Sequence, residues 1–323
     1  MNDIKIGCGV SGMYKIQVLE KGRVVEDRPW AKNMILNQGL DYALSTRTMS
    51  IAYLFRYHCV GTGTTSVSAT DTGLYNEIKR TSSLVAGVGN IGRTISGNVA
   101  TFRYTWDHSV EGAGGANYSE HGLSPSATAG NNLFARSLIS GGTVSVAEGQ
   151  QLRVIYDISV AVTPSIQTSA TVGGTGWPVS PATNCDGDCI LLVYGGSVGA
   201  LDSSGGVSGS ASLLSMADAT VTMEAVSSIV LPSSWGTDAT YTPISGSEIA
   251  YTVSSYTNGS FVRSWVPSAY AGAASWDSTS IIGWRLRAAY VGGMIAFKYD
   301  QNQTKANTHR LRYPSITVTW ARA

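Results

Sequence analysis

Apolar and polar residues alternate with period two over several long stretches of this chain, and that period belongs to β-strands with one face buried. From residue 152 to 162 the positions Leu152, Val154, Tyr156, Ile158, Val160 and Val162 share one face, while Arg153, Asp157 and Ser159 occupy the other. Within residues 99–106, Thr101, Arg103 and Thr105 stand opposite Phe102, Tyr104 and Trp106 in the same way. At the C-terminus Ile316, Val318 and Trp320 repeat the pattern just after Pro314, a residue that can precede a strand but interrupts one. Residues 13–28 read as a hairpin, with Tyr14, Ile16 and Val18 on one face before a tight turn at Glu20-Lys21-Gly22-Arg23. One stretch departs from this period. Across residues 33–46, Ile35, Leu36, Leu40 and Leu44 form a stripe at helical spacing and predict a short helix.

Turn signals divide the rest. A strand from Tyr53 to Val60 runs into Gly61-Thr62-Gly63-Thr64-Thr65, then into a loop with a brief helical turn over residues 68–74. Between residues 164 and 310 the corners Gly173-Gly174-Thr175-Gly176, Gly195-Gly196 and Ser203-Ser204-Gly205-Gly206 separate short apolar pieces. Frequent turns and few helix formers predict an all-β fold, a sandwich or jelly-roll-like arrangement with the one short helix. The domain reading is an N-terminal arm over residues 1–12, a main β domain over 13–163 plus 311–323, and an inserted or second β region over 164–310.

Composition narrows the function. Charged residues are only 13% of the chain, about half the usual globular fraction, so the surface is neutral and rich in hydroxyls. A net charge of +1 gives no electrostatic footprint for nucleic acid or an anionic membrane. No apolar run approaches the length that spans a bilayer, and the first residues lack the pattern of a secretion signal, so synthesis in the cytoplasm is expected. The four cysteines, Cys8, Cys59, Cys185 and Cys189, are too few to scaffold 323 residues.

Candidate chemistry is sparse. Asn184-Cys185-Asp186-Gly187-Asp188-Cys189 could be a plain loop, a small disulfide loop through Cys185 and Cys189, or a metal site, but a zinc site needs four ligands and no second Cys/His pair stands nearby. Cys8, in the arm, and Cys59 are further disulfide candidates, Cys8 toward another subunit. Of His58, His108, His121 and His309, only His121 has an adjacent acid, Glu120, and a structural hydrogen bond is the expected role of that pair. No nucleophile elbow accompanies any histidine, and Gly61-Thr62-Gly63 lacks the Lys-Ser/Thr ending of a phosphate loop. No catalytic residue, cofactor or metal is therefore assigned. Arg136, beside Phe134 and Leu138, could pair with an acid of its own or a neighbouring subunit. Trp235, Trp265 and Trp276 are candidate interface or sugar-stacking residues, with buried core as the alternative.

Two groups of segments carry a resemblance. The first is Asn33-Met34-Ile35-Leu36-Asn37-Gln38-Gly39-Leu40-Asp41, Val60-Gly61-Thr62-Gly63-Thr64-Thr65 and Ala69-Thr70-Asp71-Thr72-Gly73-Leu74-Tyr75-Asn76-Glu77. The second is Tyr118-Ser119-Glu120-His121-Gly122-Leu123, Asn132-Leu133-Phe134-Ala135-Arg136-Ser137-Leu138-Ile139 and residues 146–157. In order and spacing they resemble a family of tailed-bacteriophage tail, neck and fibre proteins, over roughly residues 30–163 and the last dozen. The resemblance implies a non-enzymatic virion component, a neck-collar, tail-sheath or fibre-base subunit whose partners are copies of itself and other virion proteins. It supplies no catalytic residues. A receptor-binding adhesin gripping host surface glycan through residues 164–310 is the alternative.

Overall fold

The computed structural model describes residues 4–45, 54–85, 91–96, 99–164, 192–195, 200–201, 207–208, 221–230, 240–245, 247–267, 280–288, 291–304 and 315–323. Among the described residues the fold is all-β, with a short helix over residues 37–45. In chain order its first part comprises β1 (Ile4–Glu20), β2 (Arg23–Asp27), β3 (Ala31–Lys32), β4 (Met34–Ile35), α1 (Asn37–Ser45), β5 (Tyr57–Gly61) and β6 (Glu77–Thr81). There follow β7 (Ile91–Ser96), β8 (Val99–Asp107), β9 (Ala116–Tyr118), β10 (Glu120–Ser124), β11 (Ala135–Leu138), β12 (Val144–Val146) and β13 (Gln150–Pro164). The remainder holds β14 (Leu192–Gly195), β15 (Ala200–Leu201), β16 (Val207–Ser208), β17 (Val221–Val230), β18 (Thr240–Pro243) and β19 (Ile249–Val253), then β20 (Val262–Pro267), β21 (Ser280–Ala288), β22 (Val291–Thr304) and β23 (Ile316–Arg322).

The long strands β1 and β13 form the spine. They pair antiparallel without interruption from Ile6 opposite Pro164 to Glu20 opposite Gln150. On its other edge β1 meets three strands in succession: β23, parallel, along Ile4–Val10; β3 at Met13 and Tyr14; and β2 along Gln17–Glu20. The turn at Lys21 and Gly22 closes the β1–β2 hairpin, with both residues at positive φ (50° and 78°) as a tight hairpin connection needs. β8 joins the far edge of β13, and β7 joins β8.

Period two sorts the side chains of this spine. Even-numbered residues face inward, so that Tyr14, Tyr156 and Tyr104 lie side by side across three strands, and so do Ile16, Val154 and Trp106; all six are buried. Odd-numbered residues face outward and pair with their cross-strand neighbours. Arg103 Nε donates to Asp157 Oδ1 at 2.6 Å, Arg153 Nε to Asp107 Oδ1 at 2.7 Å, and the Thr101 and Ser159 hydroxyls meet at 2.8 Å. Each strand is thus apolar toward one side and charge-neutralised toward the other.

The expected N-terminal arm does not exist as such. From Ile4 onward residues 1–12 are the first half of the central strand, hydrogen-bonded on both edges, with Cys8 and Val10 in the core. The alternation through Cys8, Val10 and Gly12 continues that of Tyr14, Ile16 and Val18, which explains why the strand runs on. The helix is also shorter than the stripe suggested. Residues 31–35 form β3 and β4, because Met34 and Ile35 pair with Arg136 and Ala135 of β11, and α1 begins only at Asn37.

Beyond residue 164 the described strands extend the same sheet. β20 pairs with β23, β19 with β20, β17 with β19, β21 with β17, β22 with β21 and β14 with β22, giving 14 strands among the described residues. A second sheet of five strands, ordered β4-β11-β10-β5-β6, packs on the inner side of the spine. One hydrophobic cluster runs between the two, from Val10, Tyr14, Phe102, Trp106 and Ile158 to Val60, Leu123, Phe134 and Ile139. Tyr14 crosses this core and ends on the connection beyond β11, donating its hydroxyl to Leu138 O and accepting from Ser140 N–H, both at 2.9 Å.

The two faces differ in energetic weight. Ile158 is wholly buried, so Ile158→Ala should lower unfolding stability by about 2–5 kcal/mol. The Arg103 side chain is 42% exposed, so Arg103→Ala should cost only about 0.2–1 kcal/mol. Urea titrations of the two variants check the contrast; equal losses would contradict the assignment of faces.

Candidate functional site

The polar interior concentrates on β10, whose five residues are all buried. It lies between β5 and β11, and its neighbours in register define two faces. His121 and Leu123, opposite Val60 and His58, look toward the spine. Glu120, Gly122 and Ser124 look the other way, toward the segment linking β5 to β6, which lies over the small sheet. Leu36, Cys59 and Leu133, with Met34 and Leu74 against them, form a second small apolar cluster.

On that outer side Glu120 is the hub. Its Oε1 accepts the backbone N–H groups of Gly63 (3.1 Å) and Asn76 (2.8 Å), and its Oε2 accepts that of Tyr75 (3.2 Å). Arg136, from β11, adds Nε at 3.0 Å and Nη2 at 2.8 Å to the same Oε2. The guanidinium then donates through Nη1 to Asp71 Oδ2 at 2.7 Å and through Nη2 to Thr65 O at 2.9 Å, and it lies 4.6 Å from the centroid of the Tyr75 ring. Both Glu120 and Arg136 are fully buried, and burial of such a pair is tolerable only because nearly every donor and lone pair finds a partner. The effect is to fasten the loop over residues 62–76 to the sheet at both of its ends. Asp71 also accepts Ser68 N–H at 2.9 Å, closing the turn in which a helical turn was expected.

On the inner side three histidines form a line. His108 Nε2 lies 2.9 Å from His58 Nδ1, and His58 Nε2 lies 3.2 Å from His121 Nδ1. His58 is on β5, His121 on β10, and His108 directly follows β8 of the long sheet, so the chain of imidazoles crosses from one sheet to the other. All three are buried. Tyr14 meets the His121 ring edge-on at 4.1 Å, and Trp106 and Tyr156 flank the line. Burial pushes the pKa of His108 and His121 down to about 3, helped at His108 by the Lys79 charge and at His121 by His108. His58, between them, is held well below the ordinary range by burial and by its two neighbours. At neutral pH the rings are therefore uncharged. They are strung out at hydrogen-bond distances rather than gathered about a point, and no group of three or more metal-ligating side chains occurs among the described residues.

Glu120 and His121, adjacent in sequence, thus point to opposite faces and are not an acid/base pair. Arg136 pairs with acids of its own chain, and Trp265 is 1% exposed, so both leave the set of interface candidates. Trp235, Trp276, Cys185, Cys189 and His309 lie outside the described residues. Cys8 and Cys59 are free, buried thiols, and burial raises the pKa of each, Cys8 to about 12. Gly61 and Gly63 are not at positive φ; a Cβ on Gly61 would meet the Asn76 carbonyl and one on Gly63 the Glu120 carboxylate, so close approach is what requires them. The histidine line went unread in the sequence, although His108 continues the inward positions Phe102, Tyr104 and Trp106, and His58 stands two before inward Val60.

No family model matches the chain, and neither a curated protein nor a solved structure matches it.

Glu120→Gln keeps the shape of the hub but leaves Arg136 with half its neutralising charge, and should cost about 3–5 kcal/mol. Gly63→Ala, which forces a methyl against the carboxylate, should cost about 1–3 kcal/mol. Denaturant unfolding measures both, and amide exchange should show the loss of protection beginning at residues 62–76.

Proposed function

We propose that the chain is a structural subunit of a tailed-bacteriophage virion, in the neck collar, tail sheath or fibre base, acting by packing against copies of itself. One observation carries this reading. The segments that resemble the phage family are parts of a single interlocked unit. Glu120 and Arg136 bind the segments around Gly63, Asp71 and Tyr75; Leu133 N–H donates to Thr72 O, Asn37 N–H to Ala69 O, and Leu36 N–H to Phe134 O. A likeness distributed over mutually contacting segments favours a shared folding unit over unrelated short matches.

The chemistry of that unit supports a structural role. Its buried charges hold loops to a sheet, and its exposed sheet face neutralises its own charges in Arg103–Asp157, Arg153–Asp107 and Lys15–Asp27 pairs. A surface prepared in this way loses few unpaired ions to desolvation when another subunit covers it. The adhesin alternative drew on exposed tryptophans, and Trp265 belongs to the core.

Mass spectrometry of purified tailed particles that encode this chain should detect it as a multi-copy component, and reconstruction of the particle should place its copies around a rotational symmetry axis, in one ring or in stacked rings. In solution, light scattering should register concentration-dependent association. A chain that is missing from purified particles and monomeric at every concentration would overturn the proposal.

A further inference from the structure

We infer that the His108–His58–His121 line is an acid-released latch between the two sheets, closed while its rings share at most one added proton and opened by the second. The argument is a count of hydrogens. A neutral imidazole carries one N–H and one lone pair, so three neutral rings bring three N–H groups to six nitrogens. Each of the two ring-to-ring contacts holds one hydrogen. One N–H and one lone pair then remain at the ends, His108 Nδ1 and His121 Nε2, and both of these atoms are buried without a hydrogen-bond partner.

A first added proton fills the vacant end: four N–H groups sit on six nitrogens, and both contacts keep a single hydrogen. A second brings five. One contact must then hold two hydrogens facing each other, an arrangement that 2.9 Å or 3.2 Å between nitrogens does not admit. The line parts at that contact, and because His108 belongs to the long sheet while His58 and His121 belong to the small one, parting at the His108–His58 contact separates the sheets.

The surroundings offer the incoming charge little relief. From the long sheet Tyr14, Tyr156 and Trp106 face the rings. From β6 comes the Lys79 cation, whose Nζ donates to Glu111 Oε1 at 2.6 Å, and Glu111 also accepts the hydroxyl of Tyr118 at 2.7 Å. The Glu111 carboxylate is therefore already engaged. Glu120 lies on the other face of β10, bound to Arg136.

The sign follows from linkage. Released histidines titrate near 6.5, whereas in the latch burial holds His108 and His121 down to about 3 and His58 well below the ordinary range, so the open form binds more protons below pH 6.5 and opening grows as pH falls. Between pH 5 and 6, where carboxylates contribute little, the opening constant should rise by two to three powers of ten per pH unit.

Amide hydrogen exchange on the intact chain, corrected for the intrinsic pH dependence of exchange, tests this. The opening constant of β5 and β10 amides should have a slope of at least two protons between pH 5 and 6, and at pH 5 should exceed that of β1 and β13 at least tenfold. His108→Gln should reduce the slope by about one. A slope below two, an opening constant equal to that of β1 and β13, or an unchanged slope in His108→Gln would each overturn the latch.

Discussion

The fifteen-residue register between β1 and β13 is the constraint on which the other arrangements rest. Because side chains alternate strictly along a strand, a slip of β13 by one residue against β1 would send Val154 and Tyr156 to the outside and Arg153 and Asp157 into the core. The same register positions β8 on one edge and β23, β3 and β2 on the other, and through β23 it fixes the strands of the C-terminal half. The outer ion pairs add little stability each, but they reward only the correct alignment. Register is therefore specified twice, by what must be buried and by what must meet across the strands.

A wide core between two sheets raises the question of where polar groups go, and two solutions appear side by side. The Glu120–Arg136–Asp71 network keeps full charges and surrounds them with backbone donors and acceptors. The histidine line discards charge and uses neutral rings that can each donate once and accept once. The first solution holds through opposite charges and the backbone donors around them. The second holds only while its proton inventory is small.

Legibility of the sequence followed the same division. Strands with strict alternation, such as those holding Phe102–Trp106, Leu152–Val160 and Ile316–Trp320, could be read directly, because one buried face and one solvent face leave period two visible. The strand status of residues 4–12 was obscured by the small residues Gly7, Gly9, Ser11 and Gly12, which show no apolar alternation; at Gly12 a Cβ would collide with the Asn33 amide. The buried networks were harder to see for a different reason. Their members come from segments far apart, with Glu120 and Arg136 sixteen residues apart and His58 and His121 sixty-three, and no local pattern encodes a contact made across strands. What the sequence does show is a polar residue at an inward position, as at His108 after Trp106, and such a position implies a partner without naming it.

The two networks are tied together by the geometry of one strand. Glu120 and His121 are neighbours, so alternation sends one to the loop side of the small sheet and the other to the spine side. β10 thereby carries the fastening of the loop over residues 62–76 on one face and the fastening of the two sheets on the other. Bonding on the loop side ties β10 to β11 and to the loop through Glu120 and Arg136, whereas the inner contacts tie β10 to β5 and β5 to the long sheet. The groups that release on protonation therefore include the His58–His121 contact inside the small sheet, so loosening reaches β5 and β10 before it reaches β1 and β13, whose shared register no histidine spans.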